Sequence, residues 1–203
     1  NNFTGKSGSG IVLQGAPAAD LIIKLIGNNT ITPYDVGIQG NTAAGSITIT
    51  SDSKGTLTIN VSNSSPVFGI NGYANSVTIT GSADVKIIAE GTANQESYGI
   101  KSDKDVSISE NASVSITCKT PNSTSRSDSC NGIFSVTGVT INTGGTIQID
   151  VHEAGDEAYS YGIRSMNALN LTKVGEMTVK WKKFSVYGVP LSPSSASFDS
   201  AAY

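Results

Sequence analysis

The residues best equipped for chemistry in this chain cluster in a few short polar segments. Glu96 sits in Gly91-Thr92-Ala93-Asn94-Gln95-Glu96, Arg126 and Asp128 lie between Cys118 and Cys130, and His152, Glu153, Asp156 and Glu157 fall in one run. Two carboxylates flanking a glycosidic bond are the minimum for glycoside hydrolysis, and Glu96 with Asp156 or Glu157 would supply such a pair. No motif fixes any such pairing. His152 is the sole histidine and so the sole imidazole base, with nothing marking a nucleophile beside it. Lyase chemistry on a β-coil uses a basic residue as proton abstractor with calcium-binding acids beside it. Here Arg126 and Arg164 are the only arginines, without an acidic cluster on the matching strand face. Catalysis is therefore the least supported reading, and binding through these segments the better one. The binding set is Glu96, Arg126, Asp128, Glu153, Asp156 and Glu157, together with Tyr98.

The elements that position these residues follow from a repeat. A Gly-Ile pair recurs at Gly10, Gly37, Gly69, Gly99, Gly132 and Gly162, about every thirty residues, with a Gly-Val variant at Gly188. Apolar residues two apart follow each pair, as in Val106/Ile108 and Val114/Ile116, or Val139/Ile141 and Ile147/Ile149. Fixed-period self-similarity is the mark of a solenoid. Alternation with Ser, Thr and Lys is strand periodicity, and β-branched residues dominate. Connections such as Thr80-Gly81-Ser82-Ala83-Asp84 leave room only for a corner. The fold expected is all-β: a right-handed parallel β-helix of about six to seven rungs, three short strands per rung, since crossovers between parallel strands are almost always right-handed. Gly before Ile is expected either to mark a corner closed to residues with a Cβ or to meet a packing requirement.

Composition agrees. Of 203 residues, 14% are charged, against about 25% in ordinary soluble domains. One β-helix domain is expected over 1–189, with 1–9 as an N-terminal cap, Trp181 to Tyr187 as a cover for the other end, and 190–203 as a cap extension or linker. A net charge of −3 gives no basic face, which argues against nucleic acid. No apolar run is long enough for a membrane span, so no membrane insertion is expected. Cys118 and Cys130 flank the longest loop, and a disulfide there would pin it and imply an oxidising compartment; two unpaired thiols are the alternative. Their spacing is unlike a zinc site. Metal ligands of the zinc type are not expected.

The aromatic residues Phe68, Tyr98, Tyr161 and Tyr187 each precede the Gly of their rung. Stacked, they would make a platform for sugar rings. Each also lies two positions before its Ile, so on an unbroken strand both point inward, and the column is expected to line the core or wedge a corner. Hydroxyl and amide rows (Thr48, Thr58, Thr78, Ser107, Ser115, Thr140, Gln148) suit hydrogen bonding to a repeating polymer. The N-x-S/T triplets at Asn60, Asn63, Asn111, Asn122 and Asn170 follow from the abundance of these residues.

The repeat, with phrases such as Ile23-Lys24-Leu25-Ile26-Gly27-Asn28-Asn29-Thr30-Ile31 and Gly99-Ile100-Lys101-Ser102-Asp103-Lys104-Asp105-Val106-Ser107-Ile108, resembles secreted bacterial surface proteins built on parallel β-helices, carbohydrate-binding or adhesin-like. The resemblance implies a non-catalytic extracellular or cell-surface module, freed of a signal peptide that this chain does not contain, with a polysaccharide or a host or cell-wall glycan as partner. A spacer or stalk in a larger surface protein and a polysaccharide lyase or glycoside hydrolase are the other expectations. No cofactor is expected. Some carbohydrate-binding members carry acidic pairs beside Gly-Ile that hold calcium. Here those positions read Asp35-Val36, Val67-Phe68, Ser97-Tyr98, Cys130-Asn131 and Ser160-Tyr161, a departure that weighs against acidic-polysaccharide binding and leaves calcium only weak support.

Overall fold

The structure is a computed structural model that describes residues 2–4, 8–14, 19–63, 66–91, 96–120, 130–153 and 160–181. Seventeen strands run in chain order: β1 (Asn2–Thr4), β2 (Ser9–Val12), β3 (Asp20–Lys24), β4 (Asn28–Thr32), β5 (Val36–Gln39), β6 (Gly45–Ser51), β7 (Thr56–Asn63), β8 (Val67–Asn71), β9 (Asn75–Gly81), β10 (Asp84–Gly91), β11 (Ser97–Ser102), β12 (Val106–Glu110), β13 (Ser113–Thr120), β14 (Cys130–Ser135), β15 (Gly138–Glu153), β16 (Ser160–Ser165) and β17 (Ala168–Trp181). All pair in parallel, each with its equivalent one turn away, and no helix occurs among the described residues. The fold is the expected β-solenoid.

It has three faces. The Gly-Ile strands form a six-stranded sheet in the order β16-β14-β11-β8-β5-β2. The first V-x-I strands stack as β3-β6-β9-β12 and the second as β1-β4-β7-β10-β13, and β15 joins the two rows. Six Gly-Ile strands bound about five full turns, fewer than the six to seven expected, because the seventh pair at Gly188 lies outside the described residues. In the last two turns the second and third strands merge. β15 pairs with β12 at its start and β13 at its end, and register shifts at Ile141–Thr146 against β17 mark the bend. Residues 2–4, expected in the N-terminal cap, pair with β4 as a sheet edge.

The core is a column of Ile, Val and Leu from all three faces. Ile38, Ile47, Ile59, Ile70, Ile79, Ile87, Ile100, Ile108, Ile133, Ile141 and Ile149 have no exposed surface. Stacking branched side chains directly over one another buries apolar area with stiff rotamers, which suits β-branched residues. Polar residues enter this interior only at corners, where they bond backbone groups that the turning chain leaves unpaired. Ser135 Oγ donates to Lys104 O at 2.8 Å and accepts from Gly138 N at 2.9 Å. Ser102 Oγ one turn below donates to Asn75 O at 2.7 Å, and Thr143 Oγ1 donates to Ala112 O at 2.7 Å.

The glycines of the Gly-Ile pairs do not mark positive-φ corners. Among the described residues positive φ recurs instead between the first and second V-x-I strands, at Gly27, Lys54, Gly81 and Glu110 in successive turns, and otherwise falls at Gly8 and Tyr73. What the Gly-Ile glycine supplies is space. A Cβ on Gly99 would overlap Ile116 and the Gly132 carbonyl, and one on Gly132 would overlap Ile149 and the Gly162 carbonyl. Gly37 faces Ile59 and Gly69 faces Ile87 in the same way. The packing explanation holds.

Candidate functional site

That space has a consequence for the neighbouring residues. The Cβ direction of Gly99 is inward, toward Ile116, and Ile100 next to it is also in the core. Two consecutive inward positions break the alternation of the strand, so the residues on either side, Tyr98 and Lys101, share the outer face. The ladder is interrupted here too: Ser97↔Cys130 and Tyr98↔Asn131 are followed by Ile100↔Ile133. The aromatic column therefore does not line the core, as simple alternation requires. Among the described residues no tyrosine or phenylalanine belongs to the core cluster, although Tyr98 and Tyr161 are themselves buried.

Two columns result on the outside of the Gly-Ile sheet. One runs Val36, Phe68, Tyr98, Asn131, Tyr161; the other runs Gln39, Asn71, Lys101, Phe134, Arg164. Their rings and cations interlock. Phe68 and Tyr98 stack at 5.3 Å between centroids and 7° between planes, and Phe134 meets Tyr98 edge-on at 6.0 Å. Lys101 Nζ sits 4.8 Å from the Tyr98 centroid and 5.5 Å from that of Phe68. Arg164 Cζ sits 4.7 Å from the Tyr161 centroid and 5.4 Å from that of Phe134. Ring quadrupoles attract cations held over their faces, worth about 0.5–1 kcal/mol at exposed sites and about 2 or more when desolvated. Tyr98 and Tyr161 are only 5% and 8% exposed, while Phe68, Lys101, Phe134 and Arg164 are half-buried and form the accessible layer.

The six strands of this sheet contain no Asp or Glu. In a chain with net charge −3, Lys101 and Arg164 therefore stand on a face cleared of acids. Among the described residues neither is in an ion pair, unlike Lys24, 2.6 Å from Asp52, and Lys119, 2.9 Å from Glu90. Arg164 Nε is buried without a hydrogen-bond partner. Net charge alone conceals this segregation, which is why sequence reasoning finds no basic face. Phe134 and Arg164 were missed for the same reason as the column's direction: each follows an Ile whose glycine neighbour inverts the parity.

The other two faces carry the hydroxyl rows. Thr48, Thr78, Ser107 and Thr140 are in register on one, and Thr58, Lys86, Ser115 and Gln148 on the other. A shallow depression of about 530 Å³ lies on the latter, lined by Thr30, Thr56, Thr58, Asp84, Lys86 and Ser115 among others.

The loop-edge set is only partly placed. Arg126, Asp128, Asp156 and Glu157 lie outside the described residues, and Glu153 is placed only as the last residue of β15. Glu96 precedes β11 at half burial, and its carbonyl accepts the Val67 N–H at 3.2 Å. His152 Nε2 is 2.8 Å from Asp150 Oδ1. Cys118 and Cys130 are both fully buried, with sulfurs 2.7 Å apart. Cys118 stacks between Ala89 and Val151, and Cys130 between Ser97 and Ser160. Among the described residues no group of three His, Cys, Asp and Glu is placed to hold a metal ion, and no helix is long and apolar enough to cross a membrane. Comparison with family models, curated proteins and solved structures finds no match to this chain.

Proposed function

We propose that this chain is a non-catalytic module of an exported surface protein and binds polysaccharide along the outer face of the Gly-Ile sheet. One observation carries the reading: two adjacent in-register columns, Phe68, Tyr98, Asn131, Tyr161 and Lys101, Phe134, Arg164, whose rings and cations contact one another. The core is already filled by aliphatic residues, so aromatic rings on the outer side are not needed to close it. Ring surfaces pack against the C–H faces of sugars, and the half-exposed Phe68 and Phe134 offer such surfaces beside hydrogen-bond donors. A parallel coil repeats its side chains about every 4.8 Å along the axis, so a polymer lying along that axis meets similar groups turn after turn. A coil serving only to hold other domains apart has no use for such a ladder. Export carries with it a Cys118–Cys130 disulfide.

The test is a polysaccharide array with and without calcium, probed with wild type, with Phe68→Ala/Phe134→Ala, and with Glu96→Ala/Asp156→Ala/Glu157→Ala. Binding lost in the phenylalanine variant, with its melting curve intact, supports the sheet face. Loss only in the acidic variant moves the site to the loop edge, and dependence on calcium there brings in the ion. No binding to any polymer favours the spacer.

A further inference from the structure

We propose that the polymer is polyanionic, a carboxylate-bearing polysaccharide whose charges are read by Lys101 and Arg164; this rests on the sheet-face reading above. The argument begins with charge placement. An acidic protein keeps every Asp and Glu off the six Gly-Ile strands and leaves on them two cations that have no ion-pair partner among the described residues. Chance solvation explains a lone lysine. It does not explain two cations in one column of an acid-free face, each held over a pair of rings.

The rings do more than attract the cations. They fix two long side chains that would otherwise lose rotamer freedom on binding, so less entropy opposes the encounter with an anion. They also remove water from one side of each charge, which strengthens its attraction to a carboxylate on the other. Arg164 Nε, buried and without an acceptor, is a donor that an arriving carboxylate oxygen satisfies. Lys101 and Arg164 are two turns apart, with Phe134 between them, which sets the cations roughly 10 Å apart along the axis. A polymer lying over Phe134 reaches both with acidic groups at that interval. Two cations are too few for nucleic acid, whose affinity grows with the number of phosphates neutralised.

The experiment measures binding of the whole chain to polygalacturonate, to its methyl ester and to a neutral glucan, at low and high salt. Esterification removes the charge and keeps the sugar. The expected result is binding to polygalacturonate that weakens with salt and falls at least about tenfold for the ester, for Lys101→Gln and for Arg164→Gln. Lys101→Arg and Arg164→Lys keep most of it, and Lys86→Gln on another face leaves it unchanged. Equal binding to acid, ester and glucan, insensitive to salt and to the glutamine variants, overturns the inference while the polysaccharide reading stands. Binding to none of the three polymers overturns it as well, and the array then decides the broader reading. Equally tight, salt-dependent binding to single-stranded DNA would also overturn it, because the cations would then be selecting charge without sugar.

Discussion

At the scale of single residues, the glycine before each core isoleucine decides both packing and what faces outward. Its spacing was plain in the sequence, but its role was not. Period-two alternation places Tyr98 and Ile100 on one side, and only the inward-directed Gly99 between them reverses that. A sequence shows a glycine; it does not show whether a facing Ile116 has taken the volume a Cβ would fill. Gly99→Ala should therefore cost at least about 1–3 kcal/mol by overpacking. Gly138→Ala is its control: this glycine is also buried, but an added Cβ there meets nothing closer than Asp105 Oδ1 at 3.3 Å and Ala168 O at 3.5 Å, so the loss should be clearly the smaller of the two. Urea unfolding of the two variants separates them, and equal losses would remove the steric explanation.

At the scale of strands and corners, the reading from sequence was strongest where alternation was clean. The strands β9 to β13 lie where their V-x-I pairs require, and the Ile and Val of those pairs stack on like residues in register. It was weakest at the long third corner, because polar residues without a period carry no register information. The thiols Cys118 and Cys130 bound that corner, one at the end of β13 and one at the start of β14, both sealed from solvent. Their oxidation joins two sheets across a loop of twelve positions, and a loop of that order is worth about 3 kcal/mol in the chain-entropy account. The oxidised protein should be lighter by two hydrogens, resist alkylation until unfolded and reduced, and lose stability of that size in Cys118→Ser/Cys130→Ser. A reduced native protein labelled at both cysteines only after unfolding, with unchanged stability in the double variant, would leave them as core thiols.

For the molecule as a whole, the repeat made the parallel coil legible, and the turn count was off only where the seventh pair falls outside the described residues. Charge segregation was not legible, because net charge sums over faces that the coil separates. Each turn packs chiefly on its two neighbours, so stability should behave as a sum of turns and interfaces. Ile100→Ala, in a central turn and fully buried, should cost about 2–5 kcal/mol. Hydrogen exchange should show protection falling first in β8, β11 and β14 and least in β3 and β17; a uniform loss would mean one cooperative unit. The glycine column also sets the grammar of length change in this molecule. Residues inserted or deleted between a strand's glycine and its last core residue throw every following side chain out of phase with the turn below. Whole turns, and changes confined to a corner, do not: the spacings Gly37 to Ile47, Gly69 to Val77 and Gly99 to Val106 differ, yet Ile47, Val77 and Val106 stay in register. Duplicating a turn such as 98–130 would thus extend the aromatic and cationic columns, by a Tyr98 and a Lys101, without re-designing the core, making the length of the recognised polymer an adjustable trait of this scaffold.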